Sequence, residues 1–348
     1  MGLNIGLQIT RRCNLKCIHC SVELTKEDMP LEVFLAAVEY ARANHCNGLS
    51  FTGGEAILHP QFYEYVKILS GHHLKFTMVS NGWAFPEFFM RMQDFLHTIH
   101  EIYFSLDGAR EETHDLNRGK NSYRNLLKAV SLCRTREIPF GLQMVVTKRN
   151  IRELEEAALL AARLGAKSLI IGPLQPTPDT VEKGLILFPE DLNLIINEIA
   201  HLRKVFSIPV EPGVGFFYKD PLAPCHPLSM KTIFINSDGK ASFCCVLADY
   251  RSGSKKDLIG NVLEDGFAGI HRNMIAQIAR YQQMKIQLLA EGCFNELDYV
   301  NCWYCLKYFE KVDWLRQYQN NPWSDDLLRT HKKESNSPMI NRNLLARR

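Results

Sequence analysis

Short apolar, β-branched runs alternate along this chain with longer stretches whose apolar residues recur every three or four positions. Six of the short runs, 3–10, 48–52, 75–80, 102–106, 140–147 and 168–171, predict strands. Between them, Leu31, Phe34, Leu35 and Val38 form one helical stripe, and Tyr123, Leu126, Leu127, Val130 and Cys133 form another behind Ser122, a candidate N-cap. Ile151, Leu154, Ala158 and Ala161 form a third, stopped at Gly165. A further helix, marked by Leu192, Ile195, Ile196, Ile199 and Leu202, follows Pro189 and an acidic first turn. The β-α alternation implies parallel strands joined by right-handed crossovers. Six units are too few for a closed eight-fold barrel, so the expected fold is α/β, an open partial (β/α)6 TIM-like barrel with its site at the strands' C-terminal ends.

The pattern breaks at 208–227, a stretch with five prolines and two glycines. A boundary is expected there, with the barrel over 1–215 and a small C-terminal unit over 216–310. In that unit, runs 232–235 and 240–244 flank Asn236-Ser237-Asp238-Gly239 as a β-hairpin, and helices follow. Residues 311–348 predict a C-terminal helix and a polar, loosely packed tail from about Asn320.

Of the 348 residues, 46% are hydrophobic, ample for a buried core. The 41 basic and 38 acidic side chains, net +3, are spread without a basic stripe, which argues against nucleic acid as a partner. No apolar run reaches the roughly 18–20 residues of a membrane span, and the opening residues lack a charged start and a cleavage site. A cytoplasmic protein with no membrane partner is expected. There, eleven cysteines point to metal ligation or redox chemistry rather than disulfides, and eight of them fall in two groups.

Cys13, Cys17 and Cys20 share one loop after the first strand. Soft thiolates at this spacing can wrap an iron-sulfur cluster, and three ligands leave one iron of a four-iron cluster open for chemistry. The alternative is a zinc knuckle completed by a distant residue. Cys225, Cys244, Cys302 and Cys305 can converge as four ligands of a closed site, either a second four-iron cluster or zinc. Cys46 and Cys133 read as core residues, and His45, His72, His73, His97 and His114 have no metal spacing.

The Cys-x3-Cys-x2-Cys loop resembles the signature of the radical S-adenosylmethionine (SAM) superfamily. Thr52-Gly53-Gly54-Glu55, Ser80-Asn81-Gly82 and Ser105-Leu106-Asp107-Gly108, each ending a predicted strand, are similar to that family's further motifs. The resemblance covers roughly residues 1–215 and implies a catalytic 4Fe-4S cluster on Cys13, Cys17 and Cys20. It places His19 beside the adenine of S-adenosylmethionine, and Gly53, Gly54 and Glu55 at its amino group. Ser80, Asn81, Ser105 and Asp107 would contact ribose and carboxylate, Arg118 the carboxylate, and Gln143, Val145 and Ile171 the adenine. A solvated surface arginine is the other reading of Arg118. The implied activity is reductive cleavage of S-adenosylmethionine to a 5′-deoxyadenosyl radical that takes hydrogen from a substrate carbon, with an electron donor such as flavodoxin or ferredoxin.

The second cysteine group resembles the Twitch domain, the shorter relative of SPASM, and implies one auxiliary 4Fe-4S cluster. Members with that extension often modify ribosomally made peptides by epimerisation, crosslinking or other C–H functionalisation, and some oxidise or epimerise sugars and aminocyclitols. Both substrate classes stay open, as does a non-catalytic electron-transfer or scaffold protein. With the first strand starting at Leu3, a peptide is expected to be recognised by the barrel, the tail or a separate protein. Cys245 follows the expected ligand Cys244. Strand alternation would turn it away from the cluster, where its thiol could return hydrogen to a substrate radical; otherwise it is buried packing, or it is the ligand and Cys244 is spare.

Overall fold

A computed structural model describes residues 3–46, 48–248, 250 and 254–328. Strands β1 (Asn4–Thr10), β2 (Gly48–Gly53), β3 (Lys75–Ser80), β4 (Ile99–Ser105), β5 (Phe140–Val146), β6 (Leu169–Pro173) and β7 (Val210–Pro212) lie side by side in sequence order, every pair parallel. Helices α1 (Leu31–Ala43), α2 (Phe62–Gly71), α3 (Phe85–Arg91), α4 (Glu111–Arg118), α5 (Ser122–Thr135), α6 (Leu154–Leu164), α7 (Pro178–Glu182) and α8 (Pro189–Val205) fill the crossovers. The expected open partial barrel is present, with one short strand more than the periodicity indicated, because three residues ending in Pro212 carry no alternation to read.

The hairpin of β8 (Thr232–Ile235) and β9 (Lys240–Ser242) joins this same sheet. β8 pairs in parallel with the free edge of β1, Asn4 opposite Thr232, and β10 (Leu258–Asn261) closes on β9, giving ten strands in one sheet. Pairing at that edge covers a row of backbone groups that would otherwise be left open. Two helices follow, α9 (Val262–Ala290), bent at Gly266, and α10 (Asn301–Tyr308).

The core lies between sheet and helices. Phe34 of α1 stacks on Tyr65 of α2 at 3.9 Å between centroids, and Phe51 of β2 on Phe76 of β3 at 5.1 Å. Each such ring, wholly buried, contributes about 1.5–3 kcal/mol of apolar transfer. Cys46, which follows α1, and Cys133, on the apolar stripe of α5, are both buried in that core, as expected.

Two local expectations need correction. Ser122 is the first helical residue of α5 and not its cap; Asn121 precedes it with φ 68°, and the Ser122 hydroxyl donates to Asp115. The chain from Asn320 also does not loosen at once. Residues 322–328 are helical, Trp323 and Leu327 are buried, and Trp323 Nε1 donates to the Leu187 carbonyl at 2.8 Å. One aromatic at a helical spacing from one leucine was too short a pattern to reveal this. The rest of the expected tail lies outside the described residues. No helix among the described residues is long and apolar enough to cross a membrane.

Candidate active site

The C-terminal ends of β1 to β6 open into a cavity of about 240 Å³. Cys13, Cys17, Cys20 and His19 form one wall, Gly53 and Gly54 the next, then Ser80, Asn81, Ser105, Arg118 and Val145. The loop carrying the cysteines is held at its start and in its middle. Arg12 pairs with Asp28 at 2.8 Å, and Ile18 N–H donates to the Asn117 carbonyl at 3.0 Å.

Gly53 and Gly54 are required by that loop. A Cβ on Gly53 would lie 2.1 Å from the Thr10 carbonyl oxygen, and one on Gly54 2.2 Å from that of Arg12. Their neighbours' N–H groups are spent the same way, Gly54 N–H on Thr10 and Glu55 N–H on Arg12 at 2.7 Å. The glycine pair thus clamps the cysteine loop as well as lining the cavity.

Glu55 does not line the cavity. Its buried carboxylate accepts from the Ser80 hydroxyl at 2.8 Å and from Asn81 N–H at 2.7 Å, so it anchors the loop after β3. Burial lifts its pKa to about 7 against those two hydrogen bonds. Asn81 in turn donates to Asn14 at 2.9 Å and lies 3.9 Å from Cys13 Sγ.

Asp107 is wholly buried below the cavity floor. It accepts from Val145 N–H at 2.9 Å and from Arg118 Nε, and its Oδ2 is 3.2 Å from His19 Nε2. Burial alone would raise this carboxyl, but Arg118, then His19, outweigh it and hold it below the usual range. Arg118 is only 9% exposed, which excludes the solvated-surface reading; its Nη1 reaches to 3.8 Å from Cys17 Sγ. Burial pushes the Cys13 thiol up to about 11, and raises Cys17 against the pull of Arg118. Metal binding would have to displace those protons.

Two expected adenine neighbours sit elsewhere. Ile171 is wholly buried among core residues, and Gln143 lies two residues before the lining residue Val145 on β5 and is absent from the lining. Ile171 pairs with Met144, on the face of the sheet opposite to Val145, while Pro173 and Gln175, at and beyond the C-terminal end of β6, reach the cavity. Periodicity did not indicate His114, buried with its Nδ1 accepting from Asp107 N–H at 3.3 Å.

Residues 7–161 match the Radical SAM superfamily. The mycofactocin maturase MftC of Mycobacterium ulcerans is 30% identical over 278 residues, 74% of this chain and 71% of that protein. The chain belongs to the radical SAM superfamily. The MftC of Mycobacterium tuberculosis is 31% identical over 77% of this chain, and AlbA, an antilisterial bacteriocin subtilosin biosynthesis protein of Bacillus subtilis, is 25% identical over 85%. The chain spans 65% of the length of each of these two. Among solved structures, anSMEcpe with bound AdoMet and Cp18Cys peptide superposes with a TM-score of 0.64 at 18% identity, over 97% of this chain and all of that one. Streptococcus suis SuiB bound to its precursor peptide SuiA superposes at 0.57 and 13%, over 76% and 63%. These two likenesses speak for the fold.

Radical SAM membership implies a 4Fe-4S cluster and S-adenosylmethionine, and the cavity suits both. Its donors are three soft thiols on one loop, and His19 Nδ1 is buried there with no partner among the described residues.

The second cysteine group gathers beyond the hairpin. On α10, Cys305 acts electrostatically on Cys302, and both feel Cys225. Cys245 acts on Cys225 and Cys302, and Cys244 feels Cys302. Cys244 and Cys245 depart from the expected alternation, because β9 ends at Ser242 and they enter a turn in which Leu247 N–H donates to the Cys244 carbonyl. Their thiols hydrogen-bond to each other, and Cys245 is absent from the cavity lining. Cys293 stands apart, its thiol on the Glu291 carbonyl. Among the described residues no three His, Cys, Asp or Glu side chains converge on a single metal ion.

Proposed function

We propose that this protein is a radical SAM maturase that acts on a ribosomally made peptide. The observation that carries the reading is the single cavity in which three thiols of one loop face Gly53, Gly54, Ser80, Asn81 and Arg118. Bound there, cluster and S-adenosylmethionine would supply hydrogen abstraction from an unactivated carbon. Cys13, Cys17 and Cys20 hold the cluster. Arg118, fixed by Asp107, offers its charge to the carboxylate of S-adenosylmethionine, and Ser80, Asn81 and Ser105 supply polar contacts. Val145 and His19 border the adenine, and the loop clamped by Gly53 and Gly54 shields the site from water.

Cys225, Cys302, Cys305 and one of the adjacent pair Cys244 and Cys245 hold an auxiliary 4Fe-4S cluster in this reading. Zinc would draw four thiolates to within roughly 4 Å of one another, whereas a four-iron cluster takes one thiolate per iron and spreads them. The donor role for Cys245 loses the alternation it rested on. The peptide reading is supported by the relatives named as a mycofactocin maturase and a bacteriocin biosynthesis protein, and by the neighbours solved with peptides.

The test is anaerobic turnover with S-adenosylmethionine and dithionite, or flavodoxin or ferredoxin as donor, with and without short peptides encoded beside the gene. Peptide-dependent 5′-deoxyadenosine and a mass change in the peptide are expected. Stimulation by a sugar or aminocyclitol alone would replace the peptide with a small molecule. No 5′-deoxyadenosine under any condition would revive the scaffold reading.

A further inference from the structure

Lys285 is the most deeply buried lysine of the second region, with no exposed surface. Its ammonium donates to the Pro221 carbonyl and to Asn301 Oδ1, both at 2.8 Å. Three aromatic rings surround it, Tyr304 at 4.8 Å, Tyr281 at 5.2 Å and Phe294 at 5.9 Å from the charge to the ring centres. None of these partners carries a negative charge, and among the described residues no carboxylate forms an ion pair with it. A buried cation without an anion is costly and ordinarily shifts toward the neutral form.

The missing anion is identified by what else faces this lysine. Burial pulls its pKa down, and Cys305 and Cys225, ahead of Asp298 and Asp220, pull it back. Asp298 is already paired with Lys307. One helical turn before Lys285 on α9, Tyr281 places its hydroxyl 3.2 Å from Cys305 Sγ, so residues i and i+4 of one helix face the same thiols. Asn301, which takes the ammonium's hydrogen bond, immediately precedes Cys302.

We infer that Lys285 is the charge-compensating residue of the auxiliary cluster, whose cation, with the Tyr281 hydroxyl on Cys305, raises that cluster's reduction potential. The inference rests on the reading of Cys225, Cys302 and Cys305 as cluster ligands. Four thiolates make the cluster a net anion, and each electron added makes it more so. A fixed cation in a low-dielectric surround stabilises the reduced form more than the oxidised one. Lys285 is thus a positioning and electrostatic residue, distant from the reacting carbon. A purely structural role, tying the 221 loop to α10, would leave the potential unchanged.

The experiment is a redox titration of full-length, anaerobically reconstituted protein followed by low-temperature EPR. The signal that S-adenosylmethionine alters belongs to the first cluster, and the unaltered one to the auxiliary cluster. Lys285→Met is expected to keep the iron content while lowering the auxiliary midpoint by at least a tenfold change in the reduction equilibrium, about 59 mV for one electron. The first cluster's midpoint should not move. An unchanged auxiliary midpoint with full iron overturns the inference. If Lys285→Met loses the auxiliary iron, Lys285→Arg decides. Retained iron at the wild-type midpoint upholds the charge, and loss there too makes the role one of packing and overturns it. Wild-type protein with only one four-iron cluster would instead overturn the reading of the ligands, and the inference with it.

Discussion

The two cysteine regions solve opposite problems. The first three thiols line a cavity at the strand ends, on a loop fastened by ion pairs and by a glycine pair that admits no side chain. Around them are polar groups that a cofactor can reach, above a buried Asp107–Arg118–His19 cluster. The second group is enclosed by α9 and α10, among Tyr281, Tyr304, Tyr308 and Phe309 and beside the buried Lys285. An open metal position in a polar pocket suits chemistry, whereas a closed, aromatic-walled one suits electron storage or structure. The difference lies less in the cysteines than in what each fold element brings to them.

The most severe way to break this contrast is to remove one set of thiols. Replacing Cys13, Cys17 and Cys20 together with Ala should lower the iron per chain from about eight to about four, since each cluster holds four. Loss of all iron would show that the two regions do not load independently.

Next in size is the anion beneath the cavity. Asp107→Asn leaves Arg118 and the histidine without their carboxylate and should destabilise the apo protein by about 3–5 kcal/mol in urea unfolding. Because Asp107 is held below the usual carboxylate range, its contribution is present above a pH of about 4 and is lost as the pH falls through its folded value. An asparagine variant as stable as the parent at pH 7 would remove the buried charge cluster from the account.

Glu55 should act in the reverse sense. With its folded pKa at about 7, it stabilises the protonated, folded apo form fully below the ordinary carboxylate value, and that stabilisation disappears as the pH rises through 7. The span is roughly 3 kcal/mol, and Glu55→Gln should flatten it when unfolding free energy is compared at pH 4.5 and 8. A wild-type protein no less stable at pH 8 would contradict the burial of that carboxyl.

The smallest effect belongs to the second region. Tyr281→Phe removes one hydrogen bond to Cys305 and leaves the ring packing, so apo stability should fall by only about 1 kcal/mol with the auxiliary iron retained. A drop several times larger would mean that the hydroxyl organises the ligands.

The first region was the more legible in sequence because its parts are contiguous. Three thiols within eight residues and two adjacent glycines identify themselves, and the strands that carry them alternate with regular helices. What the sequence hid is pairing across distance and side. Asp107 meets His19 and Arg118 through the loop geometry of three elements, and no spacing announces that. Ile171 and Pro173 differ by two rungs on β6, yet only one reaches the cavity. In the second region the cysteines were visible, but the turn that brings the Cys244 and Cys245 thiols together was not, since a hairpin two residues longer would have alternated them. Lys285 was invisible for the same reason as Asp107, its partners lying on other elements.

The catalytic assignment of the cavity depends on whether the first loop generates a radical from S-adenosylmethionine. The direct measurement is 5′-deoxyadenosine formed by anaerobically reconstituted protein with dithionite and S-adenosylmethionine, run beside the Cys13, Cys17 and Cys20 to Ala variant. The wild type should form it and the variant should not, although the variant keeps its auxiliary iron. Equal formation by both would contradict the assignment of the cavity as the catalytic site.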